Sequence, residues 1–285
     1  MKTKNLAKYF MVAAAVSIIV ISCKKKDTTP ATVDSDTSAA SDNALAEGTF
    51  NDANNIADQA NAGTLTSYLT TNTGSLDKGL LSSCATISLD TTSAPPARII
   101  TVNFGTTNCL CSDLRYRRGI IKISFSGHYR DSASVHSITF NNYFVNDNQI
   151  LGTHTVTNNG HNNAGHLNYT VSVVGGQIIK ANNGGTITWA STRNREWIYG
   201  ANTPQWNDDV YSITGSASGT GANGSSYTAT ITTPIKIELS CHYIVSGVLD
   251  LTPSGKPTRT IDWGNGACDD QATVTINGHV YNITL

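Results

Sequence analysis

The chain has few charged residues, and their signs nearly cancel. Asp, Glu, Lys and Arg make up 14% of its 285 residues, and the formal charge is −1. Without residues 1–22, which we expect to be removed, sixteen basic and twenty acidic residues remain, a charge of −4. A nucleic-acid partner requires a basic stripe, so we expect none. The low charge, with abundant Thr, Ser, Asn and Gly, favours an all-β domain outside the cytoplasm.

The sequence also lacks an apolar run long enough to span a membrane as a helix. The N-terminal run, 10–21, is shorter than the roughly 20 residues that a span requires. Lys2, Lys4 and Lys8 precede it, and a positive segment before a short apolar one is typical of a signal peptide. We therefore predict that residues 1–22 direct export.

This segment ends in Val20-Ile21-Ser22-Cys23, which resembles the bacterial lipobox. The resemblance implies that the chain is cleaved before Cys23 and that this cysteine carries two or three acyl chains. Together such chains anchor stably, at about 0.8 kcal/mol per buried methylene. Lys24-Lys25-Lys26-Asp27 follows, as in lipoproteins of the Bacteroidota, and the lack of Asp directly after Cys23 implies the outer membrane. The alternative is an ordinary secretory signal, and the side of the membrane stays open.

Composition divides the rest of the chain into three parts. Residues 23–43 are rich in Thr, Asp, Ser and Ala and predict a flexible tether. Residues 44–78 predict a helical or irregular lead-in with a short helix, because alanines permit a helix while Gly48 and the asparagines weaken it. Residues 79–285 predict one antiparallel β domain.

Within 79–285, apolar and polar residues alternate as on strands with one buried face, most clearly at Leu167, Tyr169, Val171 and Val173. Asn277-Gly278 predicts a type I′ hairpin. Its pairs would be Ile276 with His279, Val274 with Tyr281 and Ala272 with Ile283. No second helical segment interrupts the strands, so parallel pairing is not expected. An antiparallel meander must then close as a barrel, half-barrel or sandwich, and the sequence does not choose between these.

Two segments share the pattern Thr-aliphatic-Asn/Asp-aromatic-Gly-x-x-x-Cys, each with a cysteine upstream. Folding the second about Ser254 and Gly255 sets Cys241 opposite Cys268, which suits the Cα separation of about 4.4–6.8 Å in a disulfide. We predict Cys241–Cys268 and, from the repeat, Cys84–Cys109. Cys111 is then either a free thiol or, in place of Cys109, the true partner of Cys84. No Cys-x-x-Cys pair is present, and we expect no metal or other cofactor.

Tryptophan and arginine are concentrated in one strand region. Trp189 and Trp197 share strand parity with Arg193 and Arg195, and Trp206 follows. Such a face can stack on sugar rings or bind an anionic ligand. It can equally be the edge of the core, where each arginine buries its aliphatic stem and keeps its charged end in water. These five residues are the candidate ligand-binding site.

The chain offers no complete catalytic motif. Gly215-Ser216-Ala217-Ser218-Gly219 has alanine where a nucleophile elbow requires serine. Three histidines within 154–166 could hold a metal, but positions in a hairpin loop are favoured. The arginines within 115–118 favour a polar strand edge. Glu196 and Asp209 define the alternative function, a hydrolase of envelope polysaccharide that uses paired carboxylates.

Several segments of the mature chain resemble a group of uncharacterised Bacteroidota lipoproteins. They are Asn103–Cys109, Arg115–Gly119, Ser191–Arg193 with Arg195–Trp197, Ile213–Thr220 and Cys268–Val274. The group carries no known activity, so the resemblance implies location and fold class only. We predict a membrane-anchored, non-catalytic β domain of the cell envelope, with a structural role or a glycan, lipid or protein ligand.

Overall fold

The computed structural model describes residues 33–69, 85–90, 98–203, 205 and 207–285, with side chains up to residue 61 in the first range. Contacts divide the chain into units 1–33 and 34–285, and the second is described below. The described residues of unit 34–285 form one helix, α1 (Ser38–Leu69), and fourteen strands. The strands are β1 (Thr86–Asp90), β2 (Arg98–Asn103), β3 (Cys109–Leu110), β4 (Tyr116–Phe125), β5 (Val135–Val145), β6 (Asn148–His161), β7 (Leu167–Ile179), β8 (Thr186–Tyr199), β9 (Val210–Thr220), β10 (Ser226–Glu238), β11 (Ser246–Pro253), β12 (Arg259–Asn265), β13 (Gln271–Ile276) and β14 (His279–Thr284).

The helix α1 is longer than the short helix expected from the sequence, and it begins earlier. Asp36 caps its first turn, since its Oδ1 accepts a hydrogen bond from the Ser38 amide at 3.0 Å. The predicted tether, 23–43, is therefore wrong at its C-terminal end, where residues 34–43 belong to the folded unit. The predicted lead-in, 44–78, is helical as far as Leu69, and 70–78 lie outside the described residues.

The described part of the helix has no exposed face and shows no apolar stripe. None of its residues from Ser38 to Asn61 is exposed, and both Asn43 and Ile56 are 0% exposed. Surface helices show one apolar face, so the usual periodic signal is missing here. In the described part of the chain, no helix has the length and apolar content needed to cross a bilayer.

All fourteen strands form one antiparallel sheet, which confirms the all-β prediction with one helix. Thirteen strands follow chain order, and β3 pairs only with β4. Among the described residues the sheet is open, because β1 and β14 each pair with a single neighbour. The helix α1 contacts β1, β2, β5, β8 and β11. These strands are spread across the sheet, so the sheet curves around the helix.

Glycines at β-bulges contribute to this curvature. The register between β4 and β5 shifts at Gly119, where φ is +91° and a Cβ would overlap the carbonyl oxygen of Asn142. The register between β11 and β12 shifts near Gly247, where φ is +123° and a Cβ would lie 2.6 Å from the Cα of Ile235. Only glycine fits both positions, and bulges bend and twist the strand that carries them.

The predicted strand faces and the last hairpin are confirmed. Leu167, Tyr169, Val171 and Val173 are all buried. Asn277 and Gly278 have φ of +50° and +82°, as a type I′ turn requires. The three predicted pairs, Ile276 with His279, Val274 with Tyr281 and Ala272 with Ile283, are the observed ones.

The predicted disulfide Cys241–Cys268 is confirmed, with Cα atoms 5.8 Å apart. The two cysteines do not face each other in the ladder, however, because β11 begins at Ser246 and β12 ends at Asn265. The bond joins the loops beyond these strands. A loop of that size contributes about 3.5 kcal/mol in the chain-entropy model.

The choice between Cys109 and Cys111 is also resolved. Cys109 is disulfide-bonded, whereas Cys111 is a buried free thiol. Cys84, the predicted partner of Cys109, lies outside the described residues, so the pair Cys84–Cys109 stays a prediction.

Candidate functional site

The predicted ligand-binding residues of β8 lie on the inner face of the sheet, toward α1. Trp189, Arg193, Arg195 and Trp197 are at most 5% exposed. Of the two alternatives for this face, the burial agrees with a core position, because α1 covers these side chains. Trp206 lies outside the described residues.

Each of these side chains contacts the helix or a residue beside it. The indole of Trp189 stacks on Phe50, with ring centroids 5.2 Å apart, and its Nε1 donates to Asn43 Oδ1 at 3.1 Å. The guanidinium of Arg193 binds the carboxylate of Glu47, with Nε donating to Oε1 at 3.1 Å. These contacts make the strand face complementary to α1.

Arg195 lies at the centre of a buried aromatic cluster. Its Nη1 donates to Asp58 Oδ2 at 2.8 Å and to the Tyr129 hydroxyl at 3.0 Å. Its guanidinium also lies 3.5 Å from the ring centroid of Tyr211, a cation–π contact. Tyr129 stacks on Tyr169 at 4.6 Å. Burial raises the pKa of both Tyr129 and Tyr211 above the usual value, so these hydroxyls stay protonated.

Arg117 is fully buried, so the prediction that the arginines within 115–118 form a polar strand edge is wrong for this residue. It is 0% exposed and binds two carboxylates, Asp52 of α1 at 2.8 Å and Asp113 at 2.6 Å. Burial acts to lower the pKa of Arg117, but the charge of Asp52 and the hydrogen bond to Asp113 outweigh it and raise that pKa.

Two further ion pairs join the N-terminal region of the folded unit to the sheet. Lys180 Nζ lies 3.0 Å from Asp42 Oδ1, and Arg259 Nη2 lies 2.6 Å from Asp34 Oδ2. Acidic residues from Asp34, just before the helix, to Asp58 therefore face cations of the sheet. Sequence reasoning missed these acids, although arginines on an inward-facing strand position require buried partners.

The two carboxylates of the alternative hydrolase function do not face one site. Glu196 lies on the outer face of β8, where its Oε1 is 2.7 Å from both Asn162 Nδ2 and His166 Nδ1. The hydrogen bond from His166 lowers the pKa of Glu196. Asp209 instead accepts a hydrogen bond from the inward-facing Trp197 at 3.1 Å. Carboxylates on opposite faces of a sheet cannot flank one glycosidic bond.

The histidines within 154–166 do not share one face of the sheet. His154 is buried on the inner face, and both its ring nitrogens lack a hydrogen-bond partner among the described residues. Burial lowers its pKa to about 3. His166 binds Glu196 on the outer face. In the described residues no group of three or more His, Cys, Asp or Glu side chains is arranged to hold a metal ion.

Asp209 makes the stability of the domain depend on pH. Burial, and then the charge of Asp58, raise its pKa to about 7, against about 3.9 in an unfolded chain. Between these values the folded state holds a proton that the unfolded state releases, so this group favours folding at low pH. That contribution is lost as the pH rises toward 7.

We therefore expect Asp209→Asn to weaken this dependence. From pH 5 to pH 8, the wild type should lose about 1–3 kcal/mol more unfolding free energy than the variant, because the asparagine cannot titrate. Urea unfolding of both proteins at the two pH values measures the difference. An identical pH dependence for the two proteins would contradict the assignment.

Comparison with known proteins adds no family to these observations: no family model, no curated protein and no solved structure matches the chain.

Proposed function

We propose that the protein is a lipid-anchored domain of the bacterial cell envelope, held in the outer membrane through Cys23. We further propose that the domain is non-catalytic, with a structural or ligand-binding role. The lipobox and the resemblance to Bacteroidota lipoproteins support the location. Cys23 itself lies outside the described residues.

The observation that supports a non-catalytic role is that α1 covers the inner face of β8, where the candidate residues lie. Arginines on the inner face of the sheet bind carboxylates of α1. Arg193 binds Glu47, and Arg117 binds Asp52. Glu196 and Asp209 do not converge. We also infer that the sheet is a half-barrel around the helix, which its contacts with strands from β1 to β11 support.

The outer face of the sheet supports a solvated surface open to a partner. One row of neighbouring residues across six strands carries hydroxyl groups, each exposed or half-buried. The row runs through Ser137, Thr155, Ser172, Thr192, Ser216 and Thr230. Cross-strand pairs of Thr and Ser stabilise a sheet without apolar contact, so this face needs no covering layer.

The anchor is tested by Cys23→Ala. The wild type should partition into membranes and into the detergent phase of Triton X-114, because its acyl chains contribute about 0.8 kcal/mol per buried methylene. The variant should be soluble in the aqueous phase. Cys111→Ala, which removes a buried thiol, is the matched control and should stay in the membrane. Membrane retention of the Cys23→Ala protein would refute the anchor.

A further inference from the structure

A cavity of about 120 Å³ lies between α1, the hairpin that joins β5 to β6, and the loop after β10. Its wall is largely apolar and includes Leu45, Ile150, Ile237 and Ile244. An apolar cavity of about 150 Å³ accommodates a benzene molecule. The volume therefore suits the apolar part of a small ligand, and it is too small for a long acyl chain.

Three buried polar side chains of α1, those of Thr49, Asp52 and Asn55, line this cavity. Thr49 is 8% exposed and Asn55 is 7% exposed. No polar atom of Thr49 or Asn55 is among the fully buried, unpartnered side-chain atoms of the described residues. Both side chains line the cavity, so a polar group of a ligand there can reach them.

Arg115 supplies a cation at the same cavity. It is half-buried, its guanidinium carbon lies 5.9 Å from the ring centroid of Tyr243, and its Nη1 lies 3.5 Å from Asp52 Oδ1. Both oxygens of Asp52 already accept hydrogen bonds from Arg117 at 2.8 Å. Asp52 lines the same cavity and its pair with Arg115 is long, so the remaining donors of the guanidinium can reach an incoming acceptor.

We propose that this cavity binds a small organic monocarboxylate with a compact apolar group. The carboxylate pairs with the guanidinium of Arg115, whose planar donors match two carboxylate oxygens. The amide of Asn55 and the hydroxyl of Thr49 donate to the same ligand, and the apolar group packs on Ile237 and its neighbours. This inference gives a ligand class to the binding role proposed above. It does not depend on the anchor, which Cys23→Ala tests separately.

The experiment uses the full-length protein in lipid nanodiscs, with 4-fluorobenzoate as probe and 4-fluorobenzamide as its neutral isostere. Ligand-observed ¹⁹F NMR measures both, and empty nanodiscs give the background. We expect saturable benzoate binding at least about tenfold tighter than that of benzamide, since the charge-assisted pair with Arg115 is lost in the amide. No saturable binding at up to about 10 mM, or equal affinity for the two probes, would overturn the proposal.

Three variants locate the site. Arg115→Gln should weaken benzoate binding by about tenfold and leave benzamide unchanged. Gly48 lines the cavity, and a Cβ there would meet nothing within 4 Å. Gly48→Leu should therefore fill the cavity and abolish binding of both probes, with a melting temperature no lower than that of the wild type, because glycine disfavours a helix. Gly48→Ala is the matched control and should reduce binding by less than about threefold.

Two results would point elsewhere. Unchanged benzoate binding in Gly48→Leu would mean that the probe occupies another place, and the cavity would then carry no ligand. Displacement of the benzoate by palmitate at a much lower concentration would assign the site to an acyl chain, which overturns the proposed ligand size.

Discussion

Arg117→Met should lower the unfolding free energy of the domain by about 3–5 kcal/mol, the usual cost of breaking a buried ion pair from one side. Arg117 is 0% exposed, and its guanidinium binds both Asp52 and Asp113. Methionine has a similar length but no charge. The variant would therefore keep the packing volume and leave two buried carboxylates without their main partner, and one of them belongs to α1.

Arg118→Met is the matched control for this prediction. The neighbouring side chain points to the other face of β4, where it is 23% exposed and pairs with Asp147, which is 55% exposed. Exposed pairs contribute only about 0–1 kcal/mol. Urea unfolding of the two variants compares the same substitution on the two faces. Similar losses of unfolding free energy in the two variants would show that the buried pairs of Arg117 contribute little to stability. Adding Asp52→Asn and Asp113→Asn to Arg117→Met should recover part of the loss, because it removes the unpaired charges.

The strand content could be predicted because the sheet has one buried face. Alternation identifies the inner positions of strands such as β7, and Asn277-Gly278 has the positive φ values of its turn. These signals are local, since each depends on residues within one strand or hairpin. The disulfide Cys241–Cys268 was also predictable, although the assumed ladder geometry was not the observed one.

The helix and its ion pairs could not be predicted in the same way. A helix with no exposed side chain from Ser38 to Asn61 needs no apolar stripe, and its acids look like those of a solvated tether until their partners are known. Those partners, such as Arg193 for Glu47, are separated by 146 positions in the chain. The parity of Trp189 with Arg193 did place them on one face. What the sequence could not supply was that this face is covered by the protein's own helix.

Phe50→Ala should also lower the unfolding free energy by about 3–5 kcal/mol, because it removes a large apolar side chain from a closed site. Phe50 is 2% exposed and packs against rings of β5 and β8. It stacks on Trp189 and makes edge contacts with Phe140 at 6.2 Å and His154 at 6.4 Å. The cavity left by alanine would be lined by rings that cannot all move inward.

Phe144→Ala provides the comparison for Phe50→Ala. Phe144 lies on β5 with its ring 3.8 Å from the guanidinium carbon of Arg118, and it is only half-buried. Its loss should cost less than about half as much. Thermal unfolding followed by tryptophan fluorescence distinguishes two roles for the helix. If α1 is the core of the domain, Phe50→Ala lowers the midpoint of a single transition that includes the sheet. If α1 were a detachable tether, the midpoint for the sheet would stay at the wild-type value.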